Sequence, residues 1–298
     1  MSSRLELRAM ELLLAIAEHG SIGEAARALQ LAQPTVSTNL RRLEHQLGLR
    51  LVERTARGSR LTPTGSAVTD WAREVLTASD RFEAAVAALR HERAGQLHVS
   101  ASMTIAEYLM PGWLADLQRH EPDLAIALRV GNSEEVAGQV LAGSAELGFV
   151  EGVTLPEGVR AHTVAEDQLA VVVSADHPWA SGRRPVTVSE LLSARLVLRE
   201  PGSGTREAFD HAVAALGLPL PQPALELGST ASIKTALLDS DGVGVLSSLT
   251  VRAELAGQLL VAVDVAGLDL RRLLRLIWRA DRDLTGAAAL LARRAVSK

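Results

Sequence analysis

Apolar and polar positions along the first ninety residues recur with a helical period. Leu7, Met10, Leu14 and Ala17 fall on one face of a helix over 7–19. Ser21 followed by Glu24 is a capping-box pattern, so a second helix starts there and runs to about Leu29. Its Ala25 and Ala26 are small enough for close helix crossing. Gln33-Pro34 opens a third helix, because proline's missing N–H costs nothing in a first turn. Val36, Leu40, Leu43 and Leu47 form its buried stripe, and Gly48 supplies the stop. Residues 51–62 alternate loosely around Gly58 and predict a two-stranded wing. Together these are the outline of a winged helix-turn-helix, which sets one helix in the major groove of DNA.

After Thr64 a helical pattern runs to about Glu92. Val68, Trp71, Val75, Ala78, Phe82, Ala85 and Leu89 step alternately by three and four, a heptad seam. Such a seam can also pack on its own domain. The length of the helix and the lack of a second long one favour dimerisation through Val68, Trp71, Val75, Phe82 and Leu89. From Gly95 onward the pattern changes. Short β-rich apolar runs at 97–101, 124–130, 146–150, 169–173, 196–199, 243–246, 259–265 and 273–278 alternate with helical segments. That alternation predicts α/β architecture with parallel strands and helices on both faces, as one sheet or two small ones.

Composition bounds this picture. A chain of 298 residues, 47% of them hydrophobic, is expected to form two or three domains. The absence of cysteine excludes disulfides, thiolate metal sites and a cysteine nucleophile. No apolar run approaches a membrane span, and MSSRLELRAM has no signal-peptide core, so an intracellular, cytoplasmic location is expected. The net charge of -4 is unevenly spread. Residues 1–62 hold nine Arg and six Glu, whereas 63–298 hold 22 basic and 29 acidic residues. A basic head on an acidic body suits a nucleic-acid partner.

The pattern S21-x3-A25-A26-x2-L29-x3-Q33-P34-x2-S37-x5-L43-E44, followed by L47-G48-x2-L51-x2-R54 and L61-T62-x2-G65, resembles the LysR-type transcriptional regulators. Pro111, the P122-D123-L124 turn, E146-L147-G148 and H177-P178 extend the likeness through the rest of the chain. The resemblance implies a winged helix-turn-helix, a long linker helix and a two-lobed, periplasmic-binding-protein-like effector domain. It also implies a dimer or tetramer at a promoter, with a small inducer between the lobes, and RNA polymerase as a partner if the protein activates.

The outward face of the third helix carries Gln33, Pro34, Thr35, Ser37, Thr38 and Arg41. Gln bonds an adenine edge bidentately and Ser or Thr suits several bases. Arg41 and Arg42, farther along, suit phosphates, which position without specifying. Arg54, Arg57 and Arg60 are wing candidates, Arg54 with a structural alternative as a partner of Glu44. The resemblance assigns DNA contact to Gln33, Pro34, Ser37, Thr38 and the wing arginines. Ala32 stands where many relatives cap the helix with Ser or Thr, and Thr38 where an arginine is common.

Hydroxyl-rich turns recur where strands hand over to helices: Ser102-Met103-Thr104, Gly202-Ser203-Gly204-Thr205-Arg206 and Gly228-Ser229-Thr230. Ligands of open parallel sheets bind at the carboxyl ends of strands, where helix N-termini suit anions. The expected ligand set is Ser102, Thr104, Glu151, Ser203, Gly204, Thr205, Arg206 and Thr230, and an anion is favoured. By family position Ser102, Thr104, Ser203 and Thr230 line the cleft. The REPGSGTR stretch and the SMTIAEYLMP segment are similar to the regulators of sulfur assimilation and Calvin-cycle genes, which implies a sulfur oxyanion or a phosphorylated metabolite. Glu151 and Glu200 oppose an anion unless Glu151 pairs with Arg199 or Arg206, or meets a donor on the ligand.

An enzyme is the first rival reading. Against it, the eight histidines show no metal spacing such as HxxxH, and neither a phosphate loop nor a GxSxG elbow occurs. A transport solute-binding protein would need a secretion signal and would carry no DNA-reading head. A DNA-binding dimer without an inducer stays open. The expected division is a reading head at 1–62, a linker helix at 63–94 and an effector domain at 95–298. Its first lobe takes 95–163 and 267–298, its second 164–266. No cofactor and no membrane partner are expected.

Overall fold

The computed structural model describes residues 6–55, 58–92, 96–182 and 184–296, without the side chains of 54–55, 58, 80–81 and 83–92. The chain divides between Glu83 and Ala84 into two compact units. The first holds α1 (Leu7–His19), α2 (Ile22–Ala28), α3 (Gln33–Leu47), β1 (Val52–Thr55), β2 (Gly58–Leu61) and most of α4 (Pro63–Glu92).

Local chemistry sets these elements. Ser21 Oγ accepts from Glu24 N at 3.0 Å and starts α2, while α3 begins at Ala32 with no side-chain cap. Gly20 and Gly48 end α1 and α3 in the left-handed conformation. The core gathers Leu12, Leu13, Ile16, Ala25, Val36, Leu40, Leu43 and Leu51. The buried face of α1 is therefore not the expected one: Leu7 is exposed and Met10, Leu14 and Ala17 are half-buried. Residues 12–17 are all apolar, so spacing cannot choose a face, and contact with α2 and α3 does.

The wing is tied to the helices by backbone chemistry. β1 and β2 pair antiparallel from Val52↔Leu61 to Thr55↔Gly58. The Glu44 carboxylate on α3 accepts from Leu51 N at 2.8 Å and Val52 N at 3.2 Å. A Cβ at Gly65, in the first turn of α4, would stand 2.0 Å from Leu51 O, so only glycine admits this approach.

The second unit runs β3 (Gln96–Ser102), α5 (Met103–Tyr108), α6 (Met110–His120), β4 (Ala125–Gly131), α7 (Ser133–Ala142), β5 (Leu147–Val150) and β6 (Val159–Ser174). There follow β7 (Val186–Thr187), α8 (Val188–Ser193), β8 (Leu196–Arg199), α9 (Gly204–Ala215), β9 (Leu225–Leu227), α10 (Thr230–Leu238) and β10 (Val243–Ser247). The last elements are α11 (Arg252–Ala256), β11 (Leu260–Val263), β12 (Val265–Ala266), β13 (Arg271–Arg279) and α12 (Gly286–Val296). Nine strands follow the order β4-β3-β5-β13-β6-β10-β8-β9, with β11 also on β6.

The sheet corrects the expectation of parallel strands. β4-β3-β5 and β10-β8-β9 are parallel, but β13 runs antiparallel to β5 and β6, and β6 antiparallel to β10 and β11. The cause is topological: β6 carries the chain from the first lobe to the second and β13 carries it back. The first half of β6, VRAHTVAEDQ, alternates with charged residues, and for that reason only 169–173 stood out as a strand. One lobe is built around Trp113, Leu147, Phe149 and Leu276, the other around Leu169, Leu196, Phe209 and Val245. β3, β8 and β9 end where α5, α9 and α10 begin, and because β3 runs opposite to β8 and β9 the hydroxyl-rich turns approach the boundary between the lobes from its two sides.

Candidate nucleic-acid interface and inter-lobe site

On α3, Val36, Leu40 and Leu43 are buried, which turns Gln33, Pro34, Thr35, Thr38, Arg41 and Arg42 outward, with Ser37 half-buried. Arg41 Nε donates to Ser37 O at 3.2 Å, which lays that side chain back along its own helix. Arg42 has only a long contact with Glu6, 3.8 Å, between two exposed side chains. Arg60 on β2 is exposed. The carboxylate of Glu44 is committed to the Leu51 and Val52 amides. Arg57 and the side chain of Arg54 lie outside the described residues.

On α4, Trp71, Val75 and Phe82 are exposed by 63%, 43% and 70%, a row of large apolar groups in water. Val68 differs from them and packs on the core of the first unit. The side chain of Leu89 lies outside the described residues.

Between the lobes, Glu151 follows β5 and is almost fully buried. Ser102 Oγ donates to its Oε1 at 2.7 Å, Thr104 N to the same atom at 2.9 Å, and Thr104 Oγ1 to Oε2 at 3.0 Å. Arg272 Nη1 stands 2.7 Å from Oε2. The same guanidinium reaches Asp167 through Nη2 at 2.7 Å and Nε at 2.8 Å, and donates to Thr205 Oγ1 at 3.0 Å. Ser247 Oγ completes the cluster on Asp167 Oδ1 at 2.9 Å. Burial alone pushes the Glu151 carboxyl up. The Arg272 charge, the Ser102 and Thr104 hydroxyls and the more distant Arg199 charge outweigh it and hold the carboxyl below its ordinary range.

The hydroxyls of Ser102 and Thr104, expected to hold a ligand, are thus already occupied by a carboxylate of the chain itself. Glu151 takes Arg272 as its partner, not Arg199 or Arg206. Arg199 pairs with Glu200 at 2.7 Å. Arg206 is drawn to Asp210 one helical turn on, at 2.9 and 3.0 Å, and is not aimed at the hydroxyl cluster. Ser203, the residue preceding α9, is buried, and its Oγ has no hydrogen-bond partner among the described residues. Thr230 Oγ1, opening α10, meets Met103 Sδ at a long 3.8 Å. Gly204 lies where the lobes touch: a Cβ there would stand 2.6 Å from both the Glu151 carbonyl carbon and Ser133 Oγ.

Asp167, Ser247 and Arg272 were not among the residues singled out from the sequence. Arg272 did carry a signal. It shares the inward face of β13 with Leu274 and Leu276, and an arginine on the buried side of a strand needs a carboxylate. Among the described residues no group of three or more His, Cys, Asp and Glu is disposed to hold a metal ion, and no helix is long and apolar enough to cross a membrane.

Comparison with known proteins accounts for both units. Residues 7–66 match the model for the bacterial regulatory helix-turn-helix protein, lysR family, and residues 90–297 match the LysR substrate binding domain. An HTH-type transcriptional regulator of Mycobacterium tuberculosis is 43% identical, over 95% of this chain and 93% of its own length. The HTH-type transcriptional regulator CysL of Bacillus subtilis is 31% identical over 89% of this chain and 88% of its own. Among solved structures, the Synechocystis CcmR regulatory domain in complex with 2-PG is 25% identical with a TM-score of 0.61, covering 68% of this chain and 96% of that one.

Proposed function

The chain belongs to the LysR family of bacterial transcriptional regulators, and from that premise we propose how its residues divide the work. Residues 1–62 form the reading head. Gln33, Thr35, Ser37 and Thr38 meet base edges in the major groove, Pro34 sets the helix start against the DNA, and Arg41, Arg42, Arg54 and Arg57 hold phosphates. Residues 63–94 form the linker on which two copies associate through Trp71, Val75, Phe82 and Leu89. The exposure of Trp71, Val75 and Phe82 supports this reading. Residues 95–298 bind the effector, and the oligomer acts in the cytoplasm at a promoter, with RNA polymerase as partner where it activates.

The effector we infer is a small oxyanion or carboxylate seated at the start of α9. The observation that carries this is the Ser203 hydroxyl, buried without a partner at the N-terminus of a 12-residue helix whose free amides and dipole suit negative charge. Thr230 opens the facing helix α10. Ser102, Thr104 and Thr205 act one step removed, by holding Glu151 and Arg272. The buried acids Glu151 and Asp167 are both locked to Arg272 and offer no free base, which supports a regulator and not an enzyme.

The test is a thermal-melting series on the full chain with sulfite, sulfate, thiosulfate, phosphate, sugar phosphates and small carboxylates. A saturable rise that Ser203→Ala loses supports the site. No rise across the series overturns it. It would favour the second reading, a ligand-independent DNA-binding oligomer, to which the self-satisfied cradle around Glu151 already gives some support.

A further inference from the structure

Behind the Glu151–Arg272 pair lies a second cavity, of about 390 Å³, walled on one side by β13 and on the other by the flank of α9. Its volume falls within the range of small-molecule sites, about 300–1,000 Å³. We propose that it is a ligand site distinct from the one at Ser203, and that it takes a small carboxylate with a compact apolar body.

Charge decides the head group. Three guanidiniums line the cavity. Arg271 is neutralised by Asp269 at 2.7 Å, and Arg272 is shared by two carboxylates, Glu151 and Asp167. Arg275 differs: its Nη1 donates to the carbonyls of Gly152 and Val153 at 3.1 and 3.0 Å, and among the described residues it pairs with no carboxylate. Those carbonyls fix the guanidinium without neutralising it. Its Nη2 and Nε edge stays available for two parallel bonds to a carboxylate. A half-buried cation of this kind gains more from an anion than an exposed one does, because less water screens it. His211 at the rim is exposed and adds a possible donor.

Shape decides the rest. The α9 wall is Ala208, Ala212 and Ala215 with Leu216 just beyond it, an apolar surface that suits a short branched or ring-shaped body. This site shares two features with the front cleft. Glu151 and Arg272 line this cavity and are bonded to Ser102, Thr104 and Thr205 of the hydroxyl turns, and α9 follows Ser203 at its N-terminus and walls the cavity with its flank. Occupancy of either site therefore acts on the same ion pair and the same helix. Coupling between them is reciprocal by thermodynamic necessity.

The experiment is calorimetric titration and thermal melting of the full chain with butyrate, 3-methylbutyrate and benzoate, each against its primary amide. The expected result is a saturable response to at least one carboxylate and to none of the amides. Arg275→Gln weakens it by about tenfold or more, as loss of a charge-assisted bond does. Arg275→Lys restores part of it, and the part of the response that persists in Ser203→Ala is the part that Arg275→Gln removes. The proposal is overturned if no carboxylate binds, if Arg275→Gln binds as the unaltered chain does, or if Ser203→Ala abolishes the response while Arg275→Gln keeps it. Should Arg275→Gln fold poorly, Ala212→Phe decides. It fills the cavity from α9 without removing a charge, and a response that survives it overturns the proposal.

Discussion

Arg272 Nη1 lies 2.7 Å from Glu151 Oε2, and neither side chain has more than 3% of its surface in water. The pair joins the strand returning from the second lobe to the loop that leaves β5 in the first. Its carboxylate is held by the Ser102 and Thr104 hydroxyls and the Thr104 amide, and its guanidinium donates to Thr205 Oγ1 of the second lobe at 3.0 Å.

Removal of the cation has a large cost. Arg272→Ala leaves Glu151 and Asp167 buried without a counter-charge, and breaking buried pairs in this way costs about 3–5 kcal/mol. Denaturant unfolding of Arg272→Ala and of Glu151→Gln/Asp167→Asn/Arg272→Met should show the triple variant less damaged than the single one. Equal damage would mean that the uncompensated charges are not what the single variant suffers from.

The pair also gives a pH dependence of known sign. The folded Glu151 carboxyl ionises at a lower pH than the unfolded one, so its stabilisation is complete above the unfolded value, about 4.3, and fades as pH falls below it. Other carboxylates held by arginines, half-buried Asp116 and exposed Asp269 among them, fade over the same acid range, so the difference between proteins is the readout. Melting temperature should fall more steeply below pH ~4.3 in the unaltered chain than in Glu151→Gln. Parallel curves would remove Glu151 from the account.

Gly204→Ala tests lobe contact. The added methyl meets the Glu151 backbone and Ser133 Oγ at 2.6 Å, backbone that cannot step aside as a flexible side chain can. Overpacking of this kind costs about 1–3 kcal/mol. The variant should melt lower and lose any ligand-induced rise, with DNA affinity in the absence of ligand retained. A normal ligand response would show that closure at Gly204 is not needed.

Two substitutions on α3 separate reading from holding. Arg41→Ala should weaken binding to all promoter fragments alike and reduce the slope of log affinity against log salt by about one. Gln33→Ala should relax discrimination at one base position by about 1–3 kcal/mol with the salt slope unchanged. Exchanged behaviour of the two variants would exchange their roles.

The row on α4 predicts assembly. Trp71→Glu with Phe82→Glu should shift sedimentation toward smaller species and leave the reading head folded, since only Val68 of the described seam packs on its core. An unchanged sedimentation profile would rule out this row as the contact.

The reading head was legible because its signals are local. Ser21 to Glu24, Pro34 in a first turn and Gly48 at a helix end each act within four residues. The hydroxyl turns were legible for the same reason, as strand-to-helix junctions. The partner of Glu151 was not, since Arg272 meets Thr104 across 168 positions and no local pattern joins them. Arg206 misled because it follows the Gly-Ser-Gly-Thr turn, yet Asp210 at i+4 captures it first. The face of α1 was hidden by an apolar run that suits any side, and the first half of β6 by its charges.

Strand β6 belongs to both lobes: Val159–Gln168 pairs with β13 and Leu169–Ser174 with β10 and β11. A strand turns alternate residues to opposite faces, so one residue inserted near Asp167 would exchange the faces of Val171 and Val173, which pack in one core, and of Val172, which packs in the other. The chain can lengthen in its surface turns but not there. Chimaeras between relatives should therefore exchange β6 and β13 as one piece, since a graft that cuts either would bring a second lobe out of step with the first.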